Sequence, residues 1–532
     1  MSGQHALQLA LGVLLAYDSL ERAWNTEDLY LLCGAHSSEL LALILVVQCS
    51  IGLGLGLAGF FDMGSTATSV LAIAGYCASA GLYHIERRAY MAGDLLLRWL
   101  LLWLAVGPSR LASLGILVQC GLVYGVSLAH KCPSAYIFEG HAVRSLLLSE
   151  GFSCCHSRPF WRWAIALTFS PLGSTMSRTA WLAEAACALA AASAVASAAS
   201  GYALAASAAP TSVRSRLRAA QSIALAAPVP LMLGIGLTAN ISFFPVVTTV
   251  LHVRAYDAIR NLRSSGSVHT TEADTAAESP RRRRAASALL MLTVALTLVE
   301  LLPKRVSDRI VRTIALSQRW NMFPFAEAAP LVSGRVVTFV HGRRHGGGDG
   351  TFEVDLDTLF PRSDDDRLDF GLAAYHQRAA LRSRHSFRWM LLETKLIELG
   401  TEAALTRAAQ IACERAHRRA RAGRLPGRPN RVEIFEVMYD LPRRRGAPTV
   451  PAELTKYNMS AAVPTHLGID RATGLWGAWP RSVLAVGSIV WDCDAAAPST
   501  TIEPVVLAFE EGRGDEHEEP RRGGESQPSD EL

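Results

Sequence analysis

Long apolar runs dominate the first three hundred residues and leave this part of the chain few ways to fold in water. Hydrophobic stretches with at most one charge occur at 40–61, 69–83 and 181–206, and further ones lie between residues 5 and 303. A helix needs about 20 mostly apolar residues to cross the hydrocarbon layer of a bilayer. The sequence therefore predicts a multipass α-helical membrane bundle of about seven to nine spans within residues 1–312.

The remaining chain is polar and predicts a soluble domain. Apolar and polar residues alternate at 335–340 and 351–356 around the glycine-rich segment 346–350, which is typical of a β hairpin. The elements predicted after it are one helix and two strands, at 387–419, 431–439 and 483–491. We therefore expect a mainly β soluble C-terminal domain over residues 313–509, followed by a disordered charged tail over 510–532.

Small residues and prolines predict how the spans pack and where they end. Glycines at spacings that allow close contact between helices occur in the second span, at Gly52, Gly54, Gly56 and Gly59. Gly107 and Pro108 separate the spans 95–106 and 112–129, so these two are predicted to form a helical hairpin. Pro133 is expected to end the second helix of this hairpin.

The later part of the membrane region is more irregular. A short re-entrant or interfacial helix is predicted at 142–148, and the alanine-rich span 181–206 is expected to pack inside the bundle away from lipid. Prolines are expected to kink or interrupt the segment 221–253. Residues 281–284 are all arginine and are predicted to form a basic loop before a last span at 285–302.

Charge and residue usage narrow the function classes. The net charge is only +5, and the arginine clusters lie between hydrophobic segments, where they suit topology signals better than a nucleic-acid surface. No nucleic-acid partner is therefore predicted. Lysine is rare, with four residues among 52 basic ones, so Lys131 at the end of a predicted membrane helix stands out. Cysteines within the apolar stretches, such as Cys120 and Cys187, are interpreted as small hydrophobic residues, and no metal site is predicted.

Ionisable residues in the membrane region are the candidate functional groups, because charges are costly in hydrocarbon and mark functional sites. Lys131 could act as a base if burial lowers its pKa, or it could snorkel to the headgroups or pair with Asp94. Asp94 could equally pair with Arg98, four residues later on the same helix face. Glu184 needs a partner, and Arg162 and Lys131 are the candidates.

Two motifs in matching order resemble those of a known family. The first consists of residues Gly93 to Arg98, then Gln119, Tyr124, Lys131 and Gly140-His141-Ala142; the second is Gln318-Arg319-Trp320-Asn321-Met322-Phe323. Together they resemble the HTTM (horizontally transferred transmembrane) superfamily, which includes the vitamin K-dependent gamma-carboxylase. The resemblance covers about residues 5–440 and implies a multipass bundle with an extracytoplasmic C-terminal part.

The resemblance also implies an activity and a set of site residues. In the carboxylase a lysine at the end of a membrane helix deprotonates a reduced vitamin K-type quinone. Oxygen then generates a strong base that removes a γ-proton from a glutamate of the protein substrate, and carbon dioxide adds to the resulting carbanion. Carried over to this sequence, the resemblance makes Lys131 the candidate base, and Asp94 and His130 further catalytic candidates. The quinone-binding candidates are Gln119, Tyr124, Gly140 and His141. The alternative is a non-catalytic HTTM membrane protein that binds lipid or a partner.

The end of the chain suggests a compartment. Residues Ser529 to Leu532 resemble an endoplasmic-reticulum retrieval signal, and Asn458-Met459-Ser460 forms a glycosylation acceptor sequence in the soluble domain. Both fit a C-terminal domain in the lumen of the endoplasmic reticulum. The expected localisation is thus a multipass protein of that membrane.

Overall fold

A computed structural model of the chain describes residues 3–24, 35–85, 91–131, 133–148, 168, 170–199, 211–238, 243–264, 279–300, 302, 304–318, 320, 332–344, 350–356, 402–440, 469–470, 475–476, 483–493 and 501–503. Several predicted features lie outside these residues. They are Arg162, residues 346–349 of the glycine-rich segment, residues 387–401 of the predicted helix, the sequence Asn458-Met459-Ser460 and the tail 510–532.

The described part of the membrane region is helical. Its helices are α1 Gly3–Trp24, α2 Ala35–Phe60, α3 Ser65–Ile85, α4 Ala92–Val106, α5 Arg110–Ala129, α6 Ala142–Leu148, α7 Pro171–Ala199, α8 Thr211–Ala226, α9 Pro228–Thr238, α10 Phe244–Ser264, α11 Pro280–Val299 and α12 Lys304–Ile314. A π-helical turn, Ser134–Phe138, lies between α5 and α6. The predicted short helix at 142–148 is confirmed.

Five segments among the described residues are long and apolar enough to cross a membrane. They are Glu39–Phe60, Ser65–Ile85, Arg110–Ala129, Pro171–Ala198 and Ala219–Leu237. Their composition is that of a multipass integral membrane protein, and many of their large apolar side chains are exposed on the outside of the bundle. These five do not reach the seven to nine spans predicted from the sequence.

Glycines allow α1 and α2 to lie against each other. A Cβ atom added at Gly52 would lie 2.6 Å from the backbone nitrogen of Ala16, and one at Gly59 would lie 2.8 Å from the Cβ of Gln8. Any larger side chain at these positions would push the helices apart. The predicted close contact is therefore confirmed for this face, whereas Gly54 faces α3.

The predicted hairpin of α4 and α5 is also confirmed. Gly107 ends α4 with a φ of 81°, a left-handed value that favours glycine, and Ser109 caps α5 by accepting a hydrogen bond from the backbone N–H of Ala112 at 2.9 Å. Trp103 packs directly over Gly115, where no side chain would fit. α5 lies in the centre of the bundle and contacts α7, α10 and α11.

Two predictions for the later helices are wrong. The alanine-rich helix α7 is not enclosed: Leu182 and Leu189 are 60% and 71% exposed, while its small residues, such as Ala191, pack against other helices. Other small residues, such as Ala192 and Ala196, are exposed like the leucines, so only one face of the helix is buried. The four arginines 281–284 belong to helix α11 and form no loop, because Pro280 occupies the first helical position, where its missing N–H costs nothing.

The C-terminal domain combines an antiparallel sheet with one helix in its described part. The elements are β1 Val332–Arg344, β2 Thr351–Asp355, α13 Glu402–Arg421, β3 Gly427–Asp440, β4 Ile469–Asp470, β5 Leu475–Trp476, β6 Val483–Asp492 and β7 Thr501–Glu503. Five strands form one sheet in the order β2-β1-β3-β6-β7, and β4 pairs with β5. The predicted hairpin and the two later strands are confirmed.

Helix α13 covers one face of this sheet. Ala409 and Ala412 of the helix pack against Val340, Val432 and other alternate strand residues on that face. A disulfide between Cys413 and Cys493, whose Cα atoms lie 5.4 Å apart, ties the helix to the end of β6. The sequence did not predict this bond, because 80 residues separate the two cysteines.

Candidate functional site

Lys131 and Glu184 form an ion pair in the interior of the bundle. α5 ends at Ala129, and the backbone N–H of Lys131 still donates to the Leu128 carbonyl at 3.1 Å, so the last turn directs this side chain back toward α7. Nζ contacts Oε1 of Glu184 there, and only 4% of Lys131 and 3% of Glu184 are exposed. Of the two partners considered for Glu184, the structure shows Lys131, which does not snorkel to the surface.

Two further side chains complete the surroundings of this pair. Ser127, one helical turn before Lys131, donates from Oγ to Oε2 of Glu184 at 3.4 Å. The π-helical turn after α5 places the Tyr136 ring centroid 5.1 Å from the Lys131 Nζ, a cation–π distance. Burial lowers the pKa of Lys131, and the nearby Glu184 carboxylate acts in the opposite direction. Burial also raises the pKa of Tyr136 well above its usual value, and Glu184 adds to this shift.

Gly140 and His141 shape the segment that carries Tyr136. Gly140 has a φ of 66°, and a Cβ there would lie 2.6 Å from the Cβ of Ser174, so only glycine fits against α7. The His141 backbone N–H donates to the Ala135 carbonyl at 2.9 Å, and its buried imidazole lies 3.3 Å from Glu139. The two residues predicted to bind a quinone thus hold the fold of this segment.

A second polar group lies further along the same face of α5. The Tyr124 hydroxyl is 2.6 Å from Nε2 of His252 on α10, and the Sγ atoms of Cys120 and Cys187 are 3.7 Å apart. Residues 120, 124, 127 and 131 follow each other at spacings of four, three and four, which is one face of a helix. This spacing was visible in the sequence, but the contributions of Cys187 and His252 from other helices were not.

The two motifs behind the family resemblance meet through their amide side chains. Gln119 and Gln318 exchange hydrogen bonds in both directions, at 3.1 and 3.2 Å. The Trp320 indole N–H donates to Oε1 of Gln318 at 2.8 Å, and Glu300 accepts from the Gln318 backbone N–H at 3.2 Å. Gln119 therefore connects α5 to the exit of the membrane region, on a different face of α5 from Lys131.

Asp94 belongs to another buried ionic group. Arg22 of α1 donates from Nε to Asp18 and from Nη2 to Asp94, both at 3.0 Å. The Gln48 amide adds a hydrogen bond to Asp18 at 2.8 Å, and the Met91 backbone N–H adds one to Asp94 at 2.8 Å. The sequence suggested Arg98 or Lys131 as the partner of Asp94. It did not suggest Arg22, because 72 residues separate Arg22 from Asp94.

The catalytic candidates therefore occupy three different places. Lys131 lies in the pair with Glu184, and Asp94 lies in the group around Arg22. His130 caps the end of α5 and is exposed. It lies outside the buried cluster, because consecutive helical residues point in directions about 100° apart.

The C-terminal domain contains two polar features. The imidazole of His341 on β1 lies between two carboxylates, 3.5 Å from Glu353 and 3.3 Å from Glu433, on the sheet face away from α13. Near the end of α13, an open cavity of about 600 Å³ is lined mainly by basic side chains, among them His417, Arg418, Arg421 and Arg428. Neither feature includes a residue that the sequence analysis placed at the membrane site.

Comparisons with known proteins do not assign a family to the chain. No protein-family model, curated protein or solved structure matches it.

Proposed function

We propose that the chain is an integral membrane enzyme of the HTTM type that uses the Lys131–Glu184 pair to take a proton from a reduced, vitamin K-type quinone. The observation that carries this proposal is the burial of a lysine against one carboxylate within a bundle of apolar helices. Ionisable residues in such surroundings are rare and usually belong to proton or substrate pathways. The motif resemblance supplies the substrate class.

The pair has the electrostatics of a proton acceptor. Separated charges are costly in a low-dielectric interior, so the proton between Nζ and Oε1 can be held by either partner at modest cost. Whether Lys131 or Glu184 holds this proton, the pair as a whole can bind one more. The second proton produces an ammonium group on Lys131 beside a neutral carboxylic acid on Glu184. The positive charge then remains on Lys131, where it stabilises an anion left on the substrate.

The residues around the pair suit a flat apolar substrate with a hydroxyl group. Tyr136 presents an aromatic ring beside Lys131, Ser127 offers a hydroxyl, and Phe138 of the same turn is 73% exposed. Gln119 and Tyr124 are engaged by Gln318 and His252. The proposal therefore places the quinone hydroxyl at the Lys131–Glu184 pair and assigns Gln119 and Tyr124 to positioning the helices.

The decisive experiment is a turnover assay on the purified full chain in nanodiscs. The assay supplies vitamin K hydroquinone, oxygen, labelled bicarbonate and a glutamate-containing peptide, and it measures epoxide and fixed label. We expect product with the wild type and none above background with Lys131→Met. Lys304→Met, a change of the other lysine of the membrane region, should retain activity. Absence of product from the wild type with every reduced quinone tried would reject the enzyme.

The pairing of the buried charges favours a second function, that of a non-catalytic protein that binds lipid or a partner. Both Lys131 and Arg22 contact carboxylates on neighbouring helices, as expected of ion pairs that only hold helices together. Turnover by the wild type separates the two functions, because a non-catalytic protein gives no product. A charge exchange, Lys131→Glu with Glu184→Lys, should restore thermal stability relative to either single change in both cases. In an enzyme whose Lys131 must itself face the substrate, the exchange should leave activity absent.

We also propose a lumenal C-terminal domain and further spans beyond the five candidates. The Cys413–Cys493 disulfide supports an oxidising compartment, since such bonds are rare in the cytosol. The lumen of the endoplasmic reticulum is such a compartment, and the acceptor sequence Asn458-Met459-Ser460 suits it. Glycosylation at Asn458 tests the orientation: an endoglycosidase-sensitive mass shift that is lost in Asn458→Gln is expected. Modification of introduced C-terminal cysteines by an impermeant reagent from the cytosolic side would contradict it.

A further inference from the structure

Three potential metal ligands from three helices meet inside the bundle. Cys120 lies on α5, Cys187 on α7 and His252 on α10, and they are 0%, 0% and 3% exposed. One ligand atom from each residue lies within 4.8 Å of the other two. We propose that Cys120, Cys187 and His252 bind one Zn²⁺ ion that ties these three helices together. This site goes beyond the proposed activity and does not depend on it.

The distance between the sulfur atoms fits zinc. Thiolates bind Zn²⁺ at about 2.3 Å in tetrahedral geometry, which places two of them about 3.8 Å apart. The Sγ atoms of Cys120 and Cys187 lie 3.7 Å apart, and both cysteines are free of disulfides. The ion would thus enter with little movement of the helices that carry the sulfur atoms.

Charge balance selects the ion. Two thiolates and a neutral imidazole neutralise Zn²⁺, whereas they would leave one net negative charge with Cu⁺. A net charge is costly in an apolar interior, so the balance favours zinc. Hard cations such as Mg²⁺ and Ca²⁺ prefer oxygen ligands and are disfavoured by sulfur. Binding releases one proton from each thiol to the solvent, and no electron is transferred.

The surroundings of His252 also suit a metal ligand. Metal-bound histidines are usually oriented by a second-shell hydrogen bond, and the Tyr124 hydroxyl lies 2.6 Å from Nε2. The other nitrogen, Nδ1, is also buried, and the Leu225 backbone lies near the ring. Because α5 and α7 also carry Lys131 and Glu184, the ion would hold that pair in register.

The test uses the purified, reduced full chain in detergent after removal of bound metal by a chelator. Titration with Co²⁺ should give one equivalent of a tetrahedral cobalt spectrum with a thiolate-to-cobalt charge-transfer band, and Zn²⁺ should displace it. Cys120→Ala and Cys187→Ala should each remove the band. Tyr124→Phe should weaken Co²⁺ binding about 10- to 100-fold, as expected for a second-shell partner. Cys49→Ser and Cys77→Ser, which alter free cysteines elsewhere in the bundle, should leave the band unchanged.

Several results would overturn the site. They are a wild type without the charge-transfer band, an unchanged band in the double variant Cys120→Ala/Cys187→Ala, and isolation of the protein with copper in place of zinc. If the alanine variants fail to fold, His252→Gln decides. A folded His252→Gln protein with wild-type cobalt affinity contradicts the assignment, and loss of the tetrahedral spectrum supports it.

Discussion

Two buried ionic groups lie in the same bundle and differ in the cation at their centre. Arg22 contacts Asp18 and Asp94 through separate nitrogens, and each carboxylate has a further hydrogen-bond donor. Lys131 contacts Glu184, whose second oxygen accepts a hydrogen bond of 3.4 Å from Ser127. A guanidinium stays charged at any physiological pH, whereas a buried amine can lose its proton. The first group therefore stays charged, whereas the proposed function requires the second to exchange a proton.

The largest effect is expected at the arginine. Arg22→Met leaves two carboxylates buried without their shared cation, and breaking a buried ion pair in this way costs about 3–5 kcal/mol. We expect loss of a cooperative thermal transition in detergent or a strongly lowered midpoint. Arg110→Met, which removes an exposed arginine at the start of α5, is the matched control and should melt like the wild type. Equal stability of the two variants would remove the distinction between the groups.

A smaller effect on stability is expected at the lysine. Lys131→Met leaves one buried carboxyl group, Glu184, without its partner, and leaving one such group unpaired costs about 1–3 kcal/mol. Thermal unfolding of the variant and the wild type in detergent measures this difference. A loss as large as that of Arg22→Met would contradict the expected order.

The smallest effect is expected at the serine. Ser127→Ala removes a hydrogen bond of 3.4 Å to Glu184, and such a change costs about 0.5–1.5 kcal/mol at most. If the Lys131–Glu184 pair acts on a substrate, turnover should fall more than stability does. The ratio of kcat in the variant and the wild type, compared with the shift in melting temperature, checks this expectation.

Much of the architecture could be predicted from local patterns. The apolar runs, the Gly107-Pro108 turn and the alternating strands each depend on neighbouring residues, and the structure agrees with them. The loop predicted for residues 281–284 was wrong, because a run of charges was given more weight than the helix-starting proline before it. The enclosed position predicted for the alanine-rich helix was wrong, because the size of its residues does not determine which face they occupy.

The sequence by itself determined which region is apolar enough for a membrane and which of its residues are unusual there, because hydrophobicity and periodicity are properties of short segments. It marked Lys131 and Asp94 as unusual and named Glu184 as a group in need of a partner. Only the tertiary structure decided that Lys131 meets Glu184 and that Asp94 meets Arg22. Residues far apart in the chain become neighbours only through helix packing, and the chemistry of a buried charge depends on which neighbours it acquires.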